Sequence, residues 1–214
     1  MNVRIYRWLC LPCLLLLATL VQAQDGNADL YDGVAPADSA FVRVFNLGST
    51  SIGFGLSGKQ REQRIAAGQL GSYRFTSPGP GRLTIEGNSL EAQFEARSAT
   101  TVLYKDGQFV LIADKFVDDP RKAQVGFYNL TSQPVALKTR DGKHTVVEAI
   151  GTNETGLRAV NEIKIGFSAY AGEQELAQFD EVFLKLGNTY SFMVVEEAGG
   201  VRTLSMSSTI DPTE

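Results

Sequence analysis

Short apolar runs, some of them alternating with polar residues, recur along the chain at residues 41–45, 83–85, 101–104 and 109–112. They are rich in β-branched and aromatic residues and are separated by glycine, proline and aspartate, which predicts short strands joined by turns. The dipeptide Asp106-Gly107 between two apolar runs is a strong β-hairpin signal. Helical periodicity is nearly absent, and the sequence therefore predicts an all-β protein built from sandwiches.

The first of these strands occurs twice. The sequence AFVRVFNLGSTSI at residues 40–52 returns 83 residues later as AQVGFYNLTSQPV at residues 123–135. Because this period equals the length of a small domain, it predicts two tandem small β-sandwich domains, immunoglobulin-like or jelly-roll-like, joined by a short linker. The expected order is a signal peptide (1–23), an extended lead-in (24–40), sandwich 1 (41–116), a linker (117–122), sandwich 2 (123–208) and a tail (209–214) that is frayed from Asp211 onwards.

The N-terminal segment has the features of a secretory signal peptide. Arg4 and Arg7 precede an apolar run over residues 11–21, and small residues before the end of the segment suit signal peptidase. An uncleaved membrane anchor is the alternative, but the run is short for a membrane span. We therefore expect cleavage after Ala23.

The cysteine content and the net charge indicate in which compartment the protein works and which class of partner it does not bind. Both cysteines, Cys10 and Cys13, lie in the predicted leader, so the exported chain has no disulfide and depends on its cores for stability. This combination predicts the periplasm of a Gram-negative cell. The formal net charge is −4, and it becomes more negative once the leader arginines are removed. We expect no nucleic-acid partner, since an acidic chain has no long-range attraction to polyanions.

Alternation along the repeated strand separates two faces. Val42 and Val44 are expected in the core, and Phe41, Arg43 and Phe45 on the opposite face. Two phenylalanines around an arginine are more apolar than solvent requires, so this face either binds a partner or is covered by another strand, the lead-in or the neighbouring domain. In the second copy the equivalent positions of that opposite face are Gln124, Gly126 and Tyr128.

An asparagine ends each copy of the repeated strand, Asn46 in the first and Asn129 in the second. Asparagine at a strand end closes an Asx-turn and tolerates a left-handed backbone. We expect a structural role for both residues.

A basic cluster follows the first repeat. Lys59, Arg61 and Arg64 lie within six residues, and with Arg43, Arg74 and Arg82 they could form a positive patch. The alternative is an exposed hairpin of mixed charge. The candidate partner-binding residues are therefore Phe41, Arg43, Phe45, Lys59, Arg61 and Arg64.

Residue types for catalysis are scarce. His144 is the one histidine, and it stands at the mouth of a predicted hairpin, where we expect it on the surface. The chain has no Gly-x-Ser-x-Gly motif for a Ser-His-Asp hydrolase, and one histidine without cysteine cannot make a clustered zinc site. We expect no catalytic residue, no metal and no cofactor.

Several segments resemble a known family. Residues 29–31 (DLY), 35–36 (AP) and 39–46 (SAFVRVFN) resemble the start of the mature alginate O-acetylation accessory proteins of the AlgF family, and residues 137–139 (LKT) in the second copy look similar too. The resemblance implies a periplasmic protein of two β-sandwich domains that takes part in O-acetylating an exopolysaccharide in alginate biosynthesis. It implies as partners a membrane-bound O-acyltransferase and periplasmic alginate acetyltransferases that carry the Ser-His-Asp chemistry.

Three functions stay open at this level. The first is an adaptor that bridges the acetylation components and acts by tethering. The second is a carbohydrate-binding module for an acidic polysaccharide, although Trp8 lies in the leader and the mature chain has no tryptophan for a sugar platform. The third is an acetyltransferase or esterase in its own right.

Overall fold

The computed structural model describes residues 35–117 and 119–211, and the regular structure there is β-strand throughout. These residues belong to one compact unit, Gly33–Glu214. The predicted signal peptide, residues 24–34 of the lead-in and residues 212–214 of the tail lie outside the described residues. The described part of the chain contains no helix with the length and hydropathy that a membrane span requires.

The first half of the described chain forms eight strands. They are β1 (Ala40–Asn46), β2 (Ile52–Leu56), β3 (Gln63–Ile65), β4 (Arg74–Thr76), β5 (Gly79–Ile85), β6 (Asn88–Phe94), β7 (Ala99–Lys105) and β8 (Gln108–Ala113). The turn between β7 and β8 has positive φ at Asp106 (50°) and Gly107 (80°), which confirms the predicted two-residue hairpin.

The second half of the described chain forms ten strands. They are β9 (Ala123–Leu130), β10 (Val135–Thr139), β11 (Thr145–Ile150), β12 (Glu154–Val160), β13 (Ile163–Ile165), β14 (Phe167–Ala171), β15 (Gln174–Gln178), β16 (Val182–Leu184), β17 (Thr189–Glu197) and β18 (Gly200–Ser207).

The two halves have the same sheet topology. The first has the sheets β4-β1-β7-β8 and β3-β2-β5-β6, and the second has β12-β9-β17-β18 and β11-β10-β14-β15. The repeated strand pairs in parallel with the first strand of the last hairpin in both, β1 with β7 and β9 with β17. The second half adds a two-stranded ribbon, β13-β16. The prediction of two tandem β-sandwich domains is therefore confirmed.

Each sandwich has its own apolar core, and a third cluster lies between them. The first core contains Val42 and Val44, and the second contains Val125 and Phe127, as the alternation predicts. The third cluster joins residues of the sheet β4-β1-β7-β8 to residues of the sheet β12-β9-β17-β18. Its buried members are Phe45, Leu70, Leu103, Ile112, Tyr128, Met193 and Val195. The two sandwiches thus pack through the outer faces of the sheets that contain the repeated strands.

The end of the second sandwich returns to the first. The N–H of Tyr73 donates to the carbonyl of Thr209 (2.8 Å), and the N–H of Asp211 donates to the carbonyl of Tyr73 (2.7 Å). The Asp211 carboxylate accepts from Gln63 Nε2 (2.8 Å). The tail predicted to fray from Asp211 is therefore held on the first sandwich at that residue.

Candidate functional site

Arg43 lies at the centre of a polar cluster between the two sandwiches and is only 1% exposed. Its Nε donates to Thr101 Oγ1 at 2.9 Å, within the first sandwich. Its remaining hydrogen bonds reach the second: Nη2 donates to Tyr128 Oη (2.8 Å) and Ser191 Oγ (3.0 Å), and Nη1 donates to Ser208 Oγ (3.2 Å). A side chain of β1 therefore holds β9, β17 and the segment after β18.

Asp114, which follows β8, supplies the negative charge of this cluster. Its Oδ2 accepts from Tyr73 Oη (2.7 Å) and Thr101 Oγ1 (2.9 Å), and its Oδ1 accepts from Tyr128 Oη (2.9 Å). The hydroxyls of Thr101 and Tyr128 each accept from the guanidinium of Arg43 and donate to the carboxylate. These two hydroxyls therefore connect the guanidinium to the carboxylate through hydrogen bonds. We call the following set of residues the inter-domain cluster: Arg43, Tyr73, Thr101, Asp114, Tyr128, Ser191 and Ser208.

Aromatic rings add to the binding of Arg43. Its Cζ lies 4.3 Å from the centroid of the Tyr73 ring and 5.4 Å from that of Tyr128, within cation–π distance of both. Phe41 meets Tyr73 edge-on, with ring centroids 6.5 Å apart. The arginine is therefore held between a tyrosine of each sandwich.

Burial and the charges of the cluster shift its ionisation. Burial raises the pKa of Tyr128 and raises that of Tyr73 well above its ordinary value, and Arg43 only partly offsets this effect. Burial by itself acts to lower the pKa of Arg43, but Tyr128, Tyr73 and Asp114 together raise it above its ordinary value. Around neutral pH the arginine is charged and both tyrosine hydroxyls keep the proton that they donate to Asp114.

The hydrogen bonds of the inter-domain cluster suit it to holding the two sandwiches together rather than to catalysis. Ser191 and Ser208 have Oγ atoms 3.1 Å apart, and both accept from Arg43. A nucleophilic serine needs a neighbouring base, whereas a guanidinium has no lone pair with which to accept a proton. His144, the one imidazole of the chain, is exposed beside β11, and its backbone N–H donates to Thr139 Oγ1 (3.2 Å).

A groove of about 770 Å³ opens beside the cluster. Both sandwiches contribute to its walls, and Phe116 and Val117 before the second sandwich also line it. Residues that matter for its chemistry are Phe41, Tyr73, Asp114, Phe116, Gly126 and Tyr128. Its volume is in the range of small-molecule sites, and its walls combine aromatic rings with a few hydroxyl and carboxylate groups. Among residues 35–117 and 119–211, no group of three or more His, Cys, Asp or Glu is placed to hold a metal ion.

The structure corrects part of the predicted partner-binding face. Arg43 is 1% exposed and Phe45 is fully buried, because the second sandwich covers the outer face of β1. A partner cannot contact either side chain in this arrangement, so the prediction that they bind a separate partner is wrong, and what they bind is the other domain. Phe41 is partly buried in the wall of the groove.

The predicted positive patch is smaller than the sequence suggested. Arg74 is 2% exposed, with Nη1 3.3 Å from the carbonyl of Phe54, and it belongs to the interior of the first sandwich. Arg82 is exposed but paired with Glu91 across the β5–β6 hairpin. Neither extends a free basic surface.

What remains is the cationic loop, which we define as residues 59–64. Arg61 and Arg64 are exposed, and Lys59 Nζ lies 3.5 Å from the centroid of the Phe75 ring. Glu62 is the acidic residue within the loop, so the local charge is positive on an acidic protein. Partner binding by Lys59, Arg61 and Arg64 stays a prediction.

Sequence reasoning missed most of the inter-domain cluster. Asp114, Thr101 and Tyr73 come from three separate segments, and no local spacing marks them as neighbours. One signal was present: Arg43 on one copy of the repeat aligns with Gly126 on the other, so a large cation stands in one copy where the other has no side chain. Such asymmetry between otherwise similar strands could have indicated that the two copies pack on each other.

These features define a tandem β-sandwich protein whose two domains are joined through a buried arginine. The family model described as alginate O-acetyl transferase AlgF matches residues 13–191, which is most of the chain, and the chain belongs to this family.

Named relatives match along nearly the same length. The alginate biosynthesis protein AlgF of Pseudomonas aeruginosa is 28% identical over 92% of this chain and 91% of its own. The protein of that name from Pseudomonas putida is 29% identical over 80% of each chain, and that from Azotobacter vinelandii is 26% identical over 84% of this chain and 82% of its own.

Two solved structures are also similar to parts of this chain. The C-terminal domain of AlgF from P. aeruginosa has 28% identity and a TM-score of 0.38, and covers 41% of this chain and 98% of its own. The N-terminal domain has 24% identity and a TM-score of 0.34, and covers 37% of this chain and 98% of its own.

Proposed function

We propose that this protein is a periplasmic, non-catalytic adaptor that is required for O-acetylation of an exopolysaccharide in alginate biosynthesis. It bridges a membrane-bound O-acyltransferase and periplasmic alginate acetyltransferases. The observation that carries the proposal is membership of the AlgF family over most of the chain. An adaptor needs no catalytic group, because holding two partners together raises the effective concentration of each at the other.

The arrangement of polar side chains supports the non-catalytic part. The two serines of the inter-domain cluster accept from a cation, and the imidazole of His144 is exposed beside a different sheet. The cationic loop supports the partner-binding part, since arginine binds carboxylates through paired hydrogen bonds. The partner surface that it suits is acidic.

The test is to delete the gene and measure the acetyl content and the yield of the secreted polysaccharide. We expect loss of acetyl groups with the yield of polymer retained, and restoration by the wild-type gene. Complementation with His144→Ala should restore acetylation fully. Unchanged acetylation in the deletion strain would overturn the proposal, and failure of a folded His144→Ala protein would indicate catalysis instead.

Charge reversal tests the cationic loop. We expect Arg61→Glu/Arg64→Glu to abolish co-purification with at least one acetylation component and to lower acetylation. The matched control is Arg158→Glu/Lys185→Glu, which reverses two exposed cations of the second sandwich. Equal behaviour of the two double variants would remove the loop from the proposed interface.

The groove favours a second candidate, the binding of an acidic polysaccharide. Its aromatic wall, which includes Phe41, could pack against a sugar ring. Titration with plain and acetylated oligouronates decides: binding that is lost in Phe41→Ala supports this candidate, and absence of binding in the wild type removes it.

A further inference from the structure

The groove beside the inter-domain cluster contains two cations without a counter-ion. Arg97, in the turn between β6 and β7, and Lys115, which follows β8, both line the groove and are exposed. The N–H of Asp114 donates to the carbonyl of Ala99 (2.9 Å), so both cations lie at the end of the hairpin where β7 begins and β8 ends. Within the part of the chain that the structure describes, neither side chain makes an ion pair or a hydrogen bond. The groove therefore presents free positive charge on a protein that is acidic as a whole.

The acidic and phenolic groups of the groove are already paired. Asp114, the one acidic residue among the described residues that line it, accepts three hydrogen bonds from hydroxyls and lies beside the buried cation of Arg43. Two of those hydroxyls are the ones of Tyr73 and Tyr128. The amide of Gln124 is also engaged, because both of its polar atoms bond to the backbone. Few of these groups are left to bind the hydroxyls of a sugar, whereas the two cations are free.

Exposed apolar side chains surround the same space. Phe116, Val117 and Ile210 are each 47% exposed, and all three line the groove. The partly buried ring of Phe41 adds to its wall. Large apolar side chains that are exposed together at a cavity are typical of protein-binding surfaces. The groove thus combines an apolar surface with positive charge.

Gly126 leaves the groove open to the backbone of another segment. It lies within β9 and lines the groove, and the nearest atoms to a Cβ added there would be 3.6 Å away, in Tyr128 and Tyr190. A side chain would therefore fit beside its neighbours and extend into the groove. A glycine within a strand often marks a place where another backbone approaches closely.

We propose that the groove binds an extended peptide segment of another acetylation component, in which acidic residues stand next to an aromatic or aliphatic side chain. The acidic residues pair with Arg97 and Lys115, and the apolar side chain packs against Phe116, Val117 and Ile210. Charge complementarity selects an acidic partner, and the scarcity of unpaired hydrogen-bonding groups favours a peptide over a polysaccharide. The inference rests on the proposed adaptor function, for which it names a partner surface in addition to the cationic loop.

The test uses overlapping synthetic peptides that cover the periplasmic sequences of the acetylation components. The purified wild-type protein should bind peptides that contain acidic residues next to an apolar side chain. Replacing those acidic residues by their amides should weaken binding by about tenfold or more, and added salt should weaken it as well.

Charge reversal in the groove is the matching change on this protein. Arg97→Glu/Lys115→Glu should weaken peptide binding by about tenfold or more. The matched control is Lys105→Glu/Arg158→Glu, which reverses two cations that are also exposed and unpaired in the described part of the chain but do not line the groove. The control should bind the peptides as the wild type does.

The apolar part of the groove has its own pair of variants. Phe116→Ala should weaken peptide binding, whereas Phe183→Ala on β16, 45% exposed and outside the groove, should not. Both variants should keep the melting temperature of the wild type, because about half of each side chain is exposed. Equal binding by these two variants would remove the apolar contact from the proposal.

Two results of the peptide experiment would overturn the inference: no binding to any peptide, or equal binding by the wild type and Arg97→Glu/Lys115→Glu. Binding of oligouronates that the same double variant loses would overturn it too, since a polysaccharide would then occupy the groove. Co-purification with the full-length acetylation components separates these failures from a failure of the adaptor function. If the wild type and the double variant co-purify with them equally well, the adaptor function stands and the inference falls; if the wild type co-purifies with none, both fall.

Discussion

Strands β1 and β9 occupy the same place in the two sandwiches, β1 between β4 and β7 and β9 between β12 and β17. Their inward residues are alike, with Val42 and Val44 buried in one core and Val125 and Phe127 in the other. Their outward residues differ, because Arg43 of β1 aligns with Gly126 of β9. The cores of the two copies obey the same packing rules, whereas the outer faces have diverged to fit each other.

Replacing Arg43 should have the largest effect. Arg43→Met keeps much of the side-chain volume but removes the cation beside the partly buried Asp114 and leaves the hydroxyls of the cluster without a donor. Removing one member of a buried charge network costs about 3–5 kcal/mol. We expect a loss of this size in the free energy of unfolding, measured by urea titration followed by circular dichroism.

An exposed arginine of the second sandwich gives the control for that measurement. Arg158→Met on β12 should change the free energy of unfolding by less than about 0.5 kcal/mol. If Arg43→Met falls in the same range, the inter-domain cluster does not stabilise the fold, and the contrast between Arg43 and Gly126 has no energetic meaning.

The fold could be predicted from the sequence, but only part of the candidate site could be. Alternation within β1 and the repeat at β9 were sufficient to predict the strands, the tandem domains and the inward residues, because these depend on local period. The fate of Arg43 and Phe45 depended on which surface the second domain covers, and no local pattern encodes that. The apolar outer face was correctly marked as unusual, and of the alternatives left open for it, cover by the neighbouring domain is the one that the structure has for Arg43 and Phe45.

The asparagines that end β1 and β9 make equivalent hydrogen bonds in the two copies, unlike the residues of the outer faces. Both side chains bond to the residue four positions on and to the last residue of an edge strand in the opposite sheet, β3 or β11, as predicted for a structural role. Asn46 Nδ2 donates to the carbonyls of Thr50 (2.7 Å) and Ile65 (3.2 Å), and Asn129 Nδ2 donates to those of Gln133 (2.7 Å) and Ile150 (2.9 Å). In each copy Oδ1 accepts from the N–H two residues on, that of Gly48 (3.0 Å) or Thr131 (3.0 Å).

Asn46→Ala and Asn129→Ala should therefore cost the same, about 2 kcal/mol each, because each leaves two or more buried backbone groups without a partner. Thermal and urea unfolding measure the loss. Asn161→Ala, which removes an exposed acceptor of Lys122 Nζ, is the control and should cost less than about 0.5 kcal/mol. A large difference between the losses of stability in Asn46→Ala and Asn129→Ala would mean that the two duplicated turns contribute unequally to the stability of the fold.

High pH should weaken the contact between the domains. The pKa values of Tyr73 and Tyr128 are raised by burial, so above about pH 10 the unfolded chain loses these protons while the folded chain keeps them. Stability is then full below pH 10 and falls above it, by at most about 1.4 kcal/mol per pH unit for each tyrosine. Urea titrations at pH 9 and above pH 10 measure the slope, and Tyr73→Phe should reduce it. An equal slope in that variant would contradict the assignment.

Of the positions compared, Gly126 should tolerate substitution with the smallest change in the free energy of unfolding. A Cβ added there would lie 3.6 Å from Tyr128 Cε2 and 3.6 Å from the carbonyl oxygen of Tyr190, which is ordinary van der Waals contact. Gly126→Ala should therefore increase the free energy of unfolding, by less than about 1 kcal/mol. Gly156 on the neighbouring strand β12 is the matched control. A Cβ there would lie 2.2 Å from Val147 Cγ1, so Gly156→Ala should destabilise by about 1–3 kcal/mol through overpacking. Urea titration of both variants separates the two cases. If Gly126→Ala is as costly as Gly156→Ala, the glycine that aligns with Arg43 is required by the packing of β9 itself, and the difference between the two outer faces is not a matter of the arginine.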